Sequence, residues 1–165
     1  MKGHYAGVGS RQTPQHMLHY FTRLAVTLEF AGYVLRSGGA PGADTAFECG
    51  ANKKQVFLPW RGFNDNTSPL HSPPTVAFDI ASQFHPAWGS LSPTVRKFMA
   101  RNAQQVLGPN CDDPSKFVVC WTIGANGKGG TGQAIRIALE YDIPVFDFGD
   151  PKRAHRDLQD YLNRR

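Results

Sequence analysis

Along the chain, short apolar runs alternate with longer stretches in which apolar residues recur at helical spacing. The run over 4–8 reads as a first strand. Thr13 and Pro14 then suit the N-cap and first position of a helix, and Leu18, Phe21, Leu24, Ala25 and Leu28 give it one buried stripe. Gly32 is placed to stop that helix. A second strand follows over 33–36, a second helix over 43–51 and a third strand over 55–58. This strand–helix–strand–helix–strand order, with brief turns, predicts a parallel sheet covered on both faces.

The middle is less regular. Residues 59–74 are rich in Pro, Asn, Ser and Gly and read as a long loop, 75–84 suits a short helix, and His85-Pro86-Ala87-Trp88-Gly89 breaks it. An insert of this length, about 60–92, is more often functional than idle. Ser92-Pro93 caps a stronger helix to Leu107, stopped by Gly108-Pro109. A buried strand is expected over 116–122 and a glycine-rich loop over 123–130. Thr131 starts a helix with Ile135, Ala138 and Leu139 inward. A fifth strand follows over 143–148. An amphipathic helix over 151–165 sets Leu158, Tyr161 and Leu162 on one side. The fold class is therefore α/β, a Rossmann-like three-layer sandwich with a mostly parallel sheet of about five strands.

Length and composition agree with one globular domain over 1–165. The chain has 165 residues, 41% hydrophobic and 19% charged, enough to bury a core and too apolar for disorder. No run approaches a membrane span, and Met1-Lys2-Gly3-His4 leads directly into a strand without room for a signal peptide. The expected compartment is the cytoplasm. Cys49, Cys111 and Cys120 lack paired spacing and read as reduced thiols, with Cys120 in the core. The net charge of +5 and pI of about 9.3 suit an anionic partner and equally a soluble surface. The same two readings hold for the clusters Arg96, Lys97, Arg101 and Lys152, Arg153, Arg156, Arg164, Arg165.

In an open parallel sheet, ligands bind beyond the carboxyl ends of the strands. Three predicted strand ends carry glycine with small polar residues: 7–11, 37–44 and 122–132. Glycine admits close backbone approach, and free N–H groups at a helix start cradle an anion. The expected phosphate-binding residues are Gly9, Ser10, Arg11, Ser37, Gly38, Gly39, Asp44, Thr122, Gly129, Gly130, Thr131 and Gly132. His85, Lys97, Arg101 and Asn102 are candidates for the pocket mouth. Asn102 falls on the apolar stripe Val95, Met99, Val106, so its amide either ties down a loop or reads a ligand. Asp44 serves either a ribose or base, or simply the positive end of its helix. Trp60, Phe63 and Trp88 serve either base stacking or the core.

Several chemistries are excluded. Gln12 stands where a dinucleotide fingerprint needs its third glycine, which argues against NAD. Gly129 follows Lys128 where a P-loop needs Ser or Thr, and Gln133 and Ala134 replace the lysine and hydroxyl of a variant loop, which argues against ATP hydrolysis. His16 and His19 share a helix face without a third ligand, so no metal is expected. No cofactor is expected either.

The stretch Tyr5-Ala6-Gly7-Val8-Gly9-Ser10-Arg11 followed by Ser37-Gly38-Gly39-Ala40-Pro41-Gly42-Ala43-Asp44 resembles the opening of the SLOG superfamily, which joins DprA-like DNA-processing proteins to the Lonely-guy cytokinin-activating hydrolases. Gly132 to Arg136, Ala138-Leu139-Glu140 and Ile143-Pro144-Val145-Phe146 resemble the end of the DprA Rossmann fold. The likeness extends over most of the chain outside the insert and is close to small stand-alone DprA-like proteins, many of them phage-encoded. It implies binding of single-stranded DNA through a basic pocket, in a sensing, sequestering or recombinase-loading role. The Lonely-guy branch implies instead cleavage of the N-glycosidic bond of a nucleoside monophosphate by an arginine and a glutamate in a G-G-x-G-T-x-x-E motif. Gly129-Gly130-Thr131-Gly132 matches the start of that motif. Gln133 and Arg136 replace its threonine and glutamate, and Glu140 reads as a surface partner of Arg136. Whether the protein is an enzyme stays open, with absence of turnover favoured. A hydrolase would need its carboxylate from Asp44, Asp79 or Glu48, and a third reading is an interaction module built on the basic C-terminal helix. The expected partner is a nucleotide or nucleic acid, with no membrane and with self-association as a homodimer.

Overall fold

The computed structural model describes residues 1–165. Five strands, β1 (Gly3–Gly7), β2 (Tyr33–Ser37), β3 (Lys54–Val56), β4 (Val118–Cys120) and β5 (Val145–Asp147), form one sheet in the order β3-β2-β1-β4-β5. Every pairing is parallel, as the predicted alternation of elements requires. Side chains alternate across the strands. Tyr5, Phe117 and Val119 enter one core, and Ala6, Val118 and Cys120 enter the other.

Helices cover both faces. The first core is closed by α1 (Gln15–Phe30), α2 (Ala43–Gly50) and α6 (Pro151–Asn163), through Phe21, Leu28, Phe47 and Leu158. The second is closed by α3 (Thr75–Phe84), α4 (Pro93–Leu107) and α5 (Gly130–Glu140), through Ala77, Ala103, Leu107 and Ile137. The result is the expected α/β three-layer arrangement. No helix is long and apolar enough to cross a membrane.

Two local readings change. Thr13 does not cap α1; its hydroxyl donates to the Ser10 carbonyl at 2.5 Å, and Pro14 stands at the cap. On α5 the inward stripe is Ala134, Ile137 and Ala138, while Leu139 is 61% exposed. One residue turns a helix by about 100°, so Leu139 faces outward, while the expected Ala138 is buried and Ile135 packs partly buried against the second core. The insert contains a regular helix, α3, whose Ala77 and Ala81 are fully buried.

The start of α4 is fixed by Ser92, whose Oγ accepts the Val95 N–H at 3.2 Å, with Pro93 in the first turn. Ser92→Ala is expected to cost about 1 kcal/mol and to lower the melting temperature by about 2–4 °C. The change should stay local, because Arg101 lies more than two turns further along the helix. Calorimetric melting checks the first expectation, and an unaltered melting curve would count against the cap.

Candidate functional site

The order of the sheet reverses between β1 and β4. Beyond the carboxyl ends of the strands lies a cavity of about 440 Å³, bounded by the loop after β1, the β2–α2 turn, α4 and the start of α5. Its position follows from the fold, since loops on either side of a reversal diverge and leave a crevice.

Close packing shapes the first wall. A Cβ on Gly9 would come within 2.5 Å of the Ala43 Cβ, and Gly42 has φ +91 with Ser10 and Arg11 beside it. The β1–α1 and β2–α2 turns therefore interlock, as only glycines at these points allow. Ser10 Oγ accepts the Gln12 N–H at 3.0 Å, which leaves the hydroxyl proton free to donate. Opposite, α5 begins at Gly130 with no side chain capping its N-terminus. Gly129, Gly130 and Thr131 line the cavity together with Ser10, Arg11 and Lys128. Uncapped N–H groups and cations on one rim form an anion-accepting arrangement.

Arg101 forms the base. It is 6% exposed; its Nη1 donates to the Gly38 carbonyl and its Nε to Asn102 Oδ1 at 3.1 Å. Asn102 Nδ2 donates in turn to the Gly130 carbonyl at 3.1 Å. One chain of bonds thus joins the β2–α2 turn, α4 and the start of α5. The guanidinium also lies against Phe98 and Phe63, at 5.5 and 5.9 Å from their ring centres. Burial lowers the Arg101 pKa, Asp44 opposes that shift, and the charge of Arg11 adds to it.

Asp44 is the one carboxyl group on the cavity wall. Burial pushes its pKa up to about 7, against the pull of Arg101 and with the help of Glu48; the N–H groups of Ala40 and Gly38 also pull downward. Its Oδ2 accepts the Ala40 N–H at 3.3 Å. Glu48 does not reach the cavity. Its Oε1 is held by the Ser37 hydroxyl and the Gly39 N–H, and burial raises its pKa as well. Asp79 is exposed on α3, also away from the cavity.

Of the residues expected from the sequence, Gly9, Ser10, Arg11, Asp44, Gly129, Gly130 and Thr131 line the cavity, with Arg101 and Asn102. The last two form its base rather than its mouth. Ser37, Gly38 and Gly39 stand behind the wall, where Gly38 leaves space for Arg101: a Cβ there would lie 2.5 Å from Nη1. Thr122 is buried with its hydroxyl and N–H bonded to Asp147. The Gly132 backbone packs against the Gly127 carbonyl. Lys97 is exposed and, like His85, outside the cavity lining. His85 Nδ1 accepts the Ala87 N–H at 3.1 Å, and burial together with Arg136 lowers its pKa. Phe98, Gln105 and Lys128 were not expected and line the cavity.

The departures from the hydrolase motif have a packing explanation. Arg136 donates to the Phe84 carbonyl at 2.9 Å and to Gln133 Oε1 at 3.0 Å, and Gln133 Nε2 donates to the Ala81 carbonyl at 2.9 Å. Together they fasten α3 to α5, so Arg136 is not a surface partner of Glu140. Of the insert aromatics, Trp60 and Phe63 pack edge-on against Phe98, and Trp88 lies under Arg96. No group of three or more His, Cys, Asp or Glu stands at metal-binding spacing.

Fold and cavity together define a Rossmann-like α/β protein with a polar crevice at the point where strand order reverses. No protein-family model matches the chain, and no curated protein matches it in sequence. Among solved structures it is similar to DNA processing protein A from Helicobacter pylori, a structure described for its single-stranded DNA binding mode. The likeness has a TM-score of 0.61 at 21% identity and covers 97% of this chain and 78% of that one. It shows a shared fold.

Proposed function

We propose that the crevice binds the phosphate-bearing backbone of single-stranded nucleic acid or a nucleotide derived from it. The observation that carries this reading is the rim, where the uncapped start of α5 and the Ser10 hydroxyl face the same cavity as Arg11 and Lys128. Backbone N–H groups and cations around one opening satisfy the lone pairs and the charge of a phosphate together. The similarity to a DNA-processing protein described as binding single-stranded DNA supports the same class of ligand here. So does the net charge of +5. A DprA-like role in holding or handing on a single strand needs binding without turnover, which suits a site whose motif glutamate is replaced by Arg136.

Fluorescence anisotropy with labelled single-stranded DNA across a range of salt tests this reading. Arg11→Ala with Lys128→Ala is expected to weaken binding at low salt. The slope of log K against log salt should become shallower by about 1.4, since each phosphate contact to a single strand contributes about 0.7. An unchanged slope would place the phosphates elsewhere on the protein.

A further inference from the structure

The floor of the same cavity carries different chemistry from its rim. Gln105 is 1% exposed, lines the cavity, and its Nε2 has no hydrogen-bond partner. Its neighbour Gln104 is comparably buried but donates to the Pro109 carbonyl at 3.0 Å. The other unpartnered buried polar atom, Tyr5 Oη, belongs to a side chain packed between aromatic rings in the first core, away from this cavity. Gln105 thus stands apart as a lining residue whose amide nitrogen is closed to water and unpaired, so a small turn of the carboxamide is needed to present it to the cavity.

Its position is dictated by α4. Phe98, Arg101, Asn102 and Gln105 stand at i, i+3, i+4 and i+7 and share the face turned to the cavity. Arg101 Nε and Nη1 and both ends of the Asn102 amide are bonded within the protein, whereas Gln105 Nε2 is not. The apolar side chains of the cavity lining are Val8, Ala40, Phe98, Met99 and Ala134. Buried polar groups are normally paired, so an unpaired amide at the end of a ligand cavity is a group kept for the ligand.

The chemistry of that ligand group follows from the amide. A carboxamide offers a donor next to an acceptor. A phosphate offers acceptors only, and Ser10, Arg11, Lys128 and the start of α5 already serve it at the rim. A nucleobase edge presents a donor beside an acceptor and pairs with a Gln side chain through two bonds. Its flat ring also suits the apolar side chains of the floor.

Resting on the nucleotide-binding reading above, we propose that the floor of the cavity is a nucleobase subsite, in which the Gln105 carboxamide pairs with the base edge while the phosphate stays at the rim. The site then distinguishes a nucleotide from a bare sugar phosphate, and it adds base readout to backbone binding.

Titration calorimetry with the four deoxynucleoside monophosphates and with deoxyribose 5-phosphate tests this. In the unaltered protein at least one nucleotide should bind about tenfold or more tightly than the sugar phosphate. Gln105→Leu should bring that nucleotide to the level of the sugar phosphate and leave sugar-phosphate binding unchanged. It should also raise the melting temperature of the ligand-free protein, because leucine buries no unpaired donor. A purely structural glutamine would instead lose stability on this change. Gln105→Met serves the same comparison should the leucine variant fold poorly. Equal binding of nucleotides and sugar phosphate, or a ratio unmoved by either substitution, would overturn the subsite while leaving phosphate binding in place. Failure of every probe to bind, including single-stranded DNA, would end the nucleotide-binding reading and this inference with it. Oligodeoxynucleotides with and without an abasic unit extend the comparison from free nucleotide to strand, and loss of affinity at the abasic unit supports the subsite in both settings.

Discussion

Arg101→Leu is expected to destabilise the protein by about 3 kcal/mol and to abolish nucleic-acid binding. Two charge-assisted hydrogen bonds disappear, each contributing about 1.5–3 kcal/mol. The Gly38 carbonyl and Asn102 Oδ1 lose their donor in a buried place. Leucine restores the apolar contact with Phe98 and Phe63 but not the cation against their rings. Asp44 loses its nearest stabilising cation. The melting temperature should fall by about 6–12 °C, taking about 2–4 °C per kcal/mol for a chain of this size. Arg101→Lys should recover little, since an ammonium group cannot span the two acceptors as a planar guanidinium does. Urea unfolding and anisotropy on the same variants check both parts. A loss below about 0.5 kcal/mol, the range of an ordinary surface change, would show that Arg101 is not the tie between the turns.

The architecture was legible because the strong signals are local. Short apolar strands, the Ser92-Pro93 start and the Gly32 stop each depend on neighbouring residues, and all of these elements are found within a few residues of where the pattern puts them. The order β3-β2-β1-β4-β5 is not a local property. Periodicity can say that strands are parallel, whereas the place where the order reverses depends on which face each helix covers. The outward turn of Leu139 on α5 has the same origin. Ile135, Ile137, Ala138 and Leu139 are all apolar, and only packing against the sheet and α4 selects Ile137 over Leu139.

The lining of the candidate cavity was legible in the sequence at its rim and obscure at its floor. Ser10, Arg11 and 129–131 sit beside glycines, and glycine-rich strand ends advertise themselves. The run 37–39 carries the same signature for another reason: it makes room for Arg101 and holds Glu48 behind the wall. Gln105 gives almost no signal, because a polar residue on a helix normally marks a solvated position. Its spacing of three from Asn102 and its place beside Val106 were the available clue, since those two residues, and not Gln105, were assigned to the buried stripe.

Asp44 should make the protein lose stability as pH rises from about 4 to about 7. Its carboxyl group has a pKa of about 7 in the folded chain against an ordinary value of 3.8. Within that window the folded state holds a proton that the unfolded state has released, and stability then falls with pH. Below 3.8 both states are protonated and the full contribution is present; above about 7 it is gone. Three pKa units correspond to about 4 kcal/mol. Asp44→Asn keeps the acceptor for the Ala40 N–H and removes the titrating group, so the variant should gain on the unaltered protein as pH rises and level off above 7. Glu48, also raised by burial, adds a slope of the same sign. His4 and His85, lowered by burial, act in the opposite sense on the acid side of 6.5 and are common to both proteins. The difference between the two unfolding curves at each pH therefore reports Asp44 together with its coupling to Glu48, and parallel curves between pH 5 and 8 would show that Asp44 ionises like an exposed carboxylate. Ligand binding should follow the same proton. Above pH 7 the one carboxyl group of the cavity wall becomes an anion facing the proposed phosphate site, so DNA affinity should fall in the unaltered protein and hold steady in Asp44→Asn. A crevice lined by Arg11, Arg101 and Lys128 is at its most cationic only while Asp44 keeps its proton.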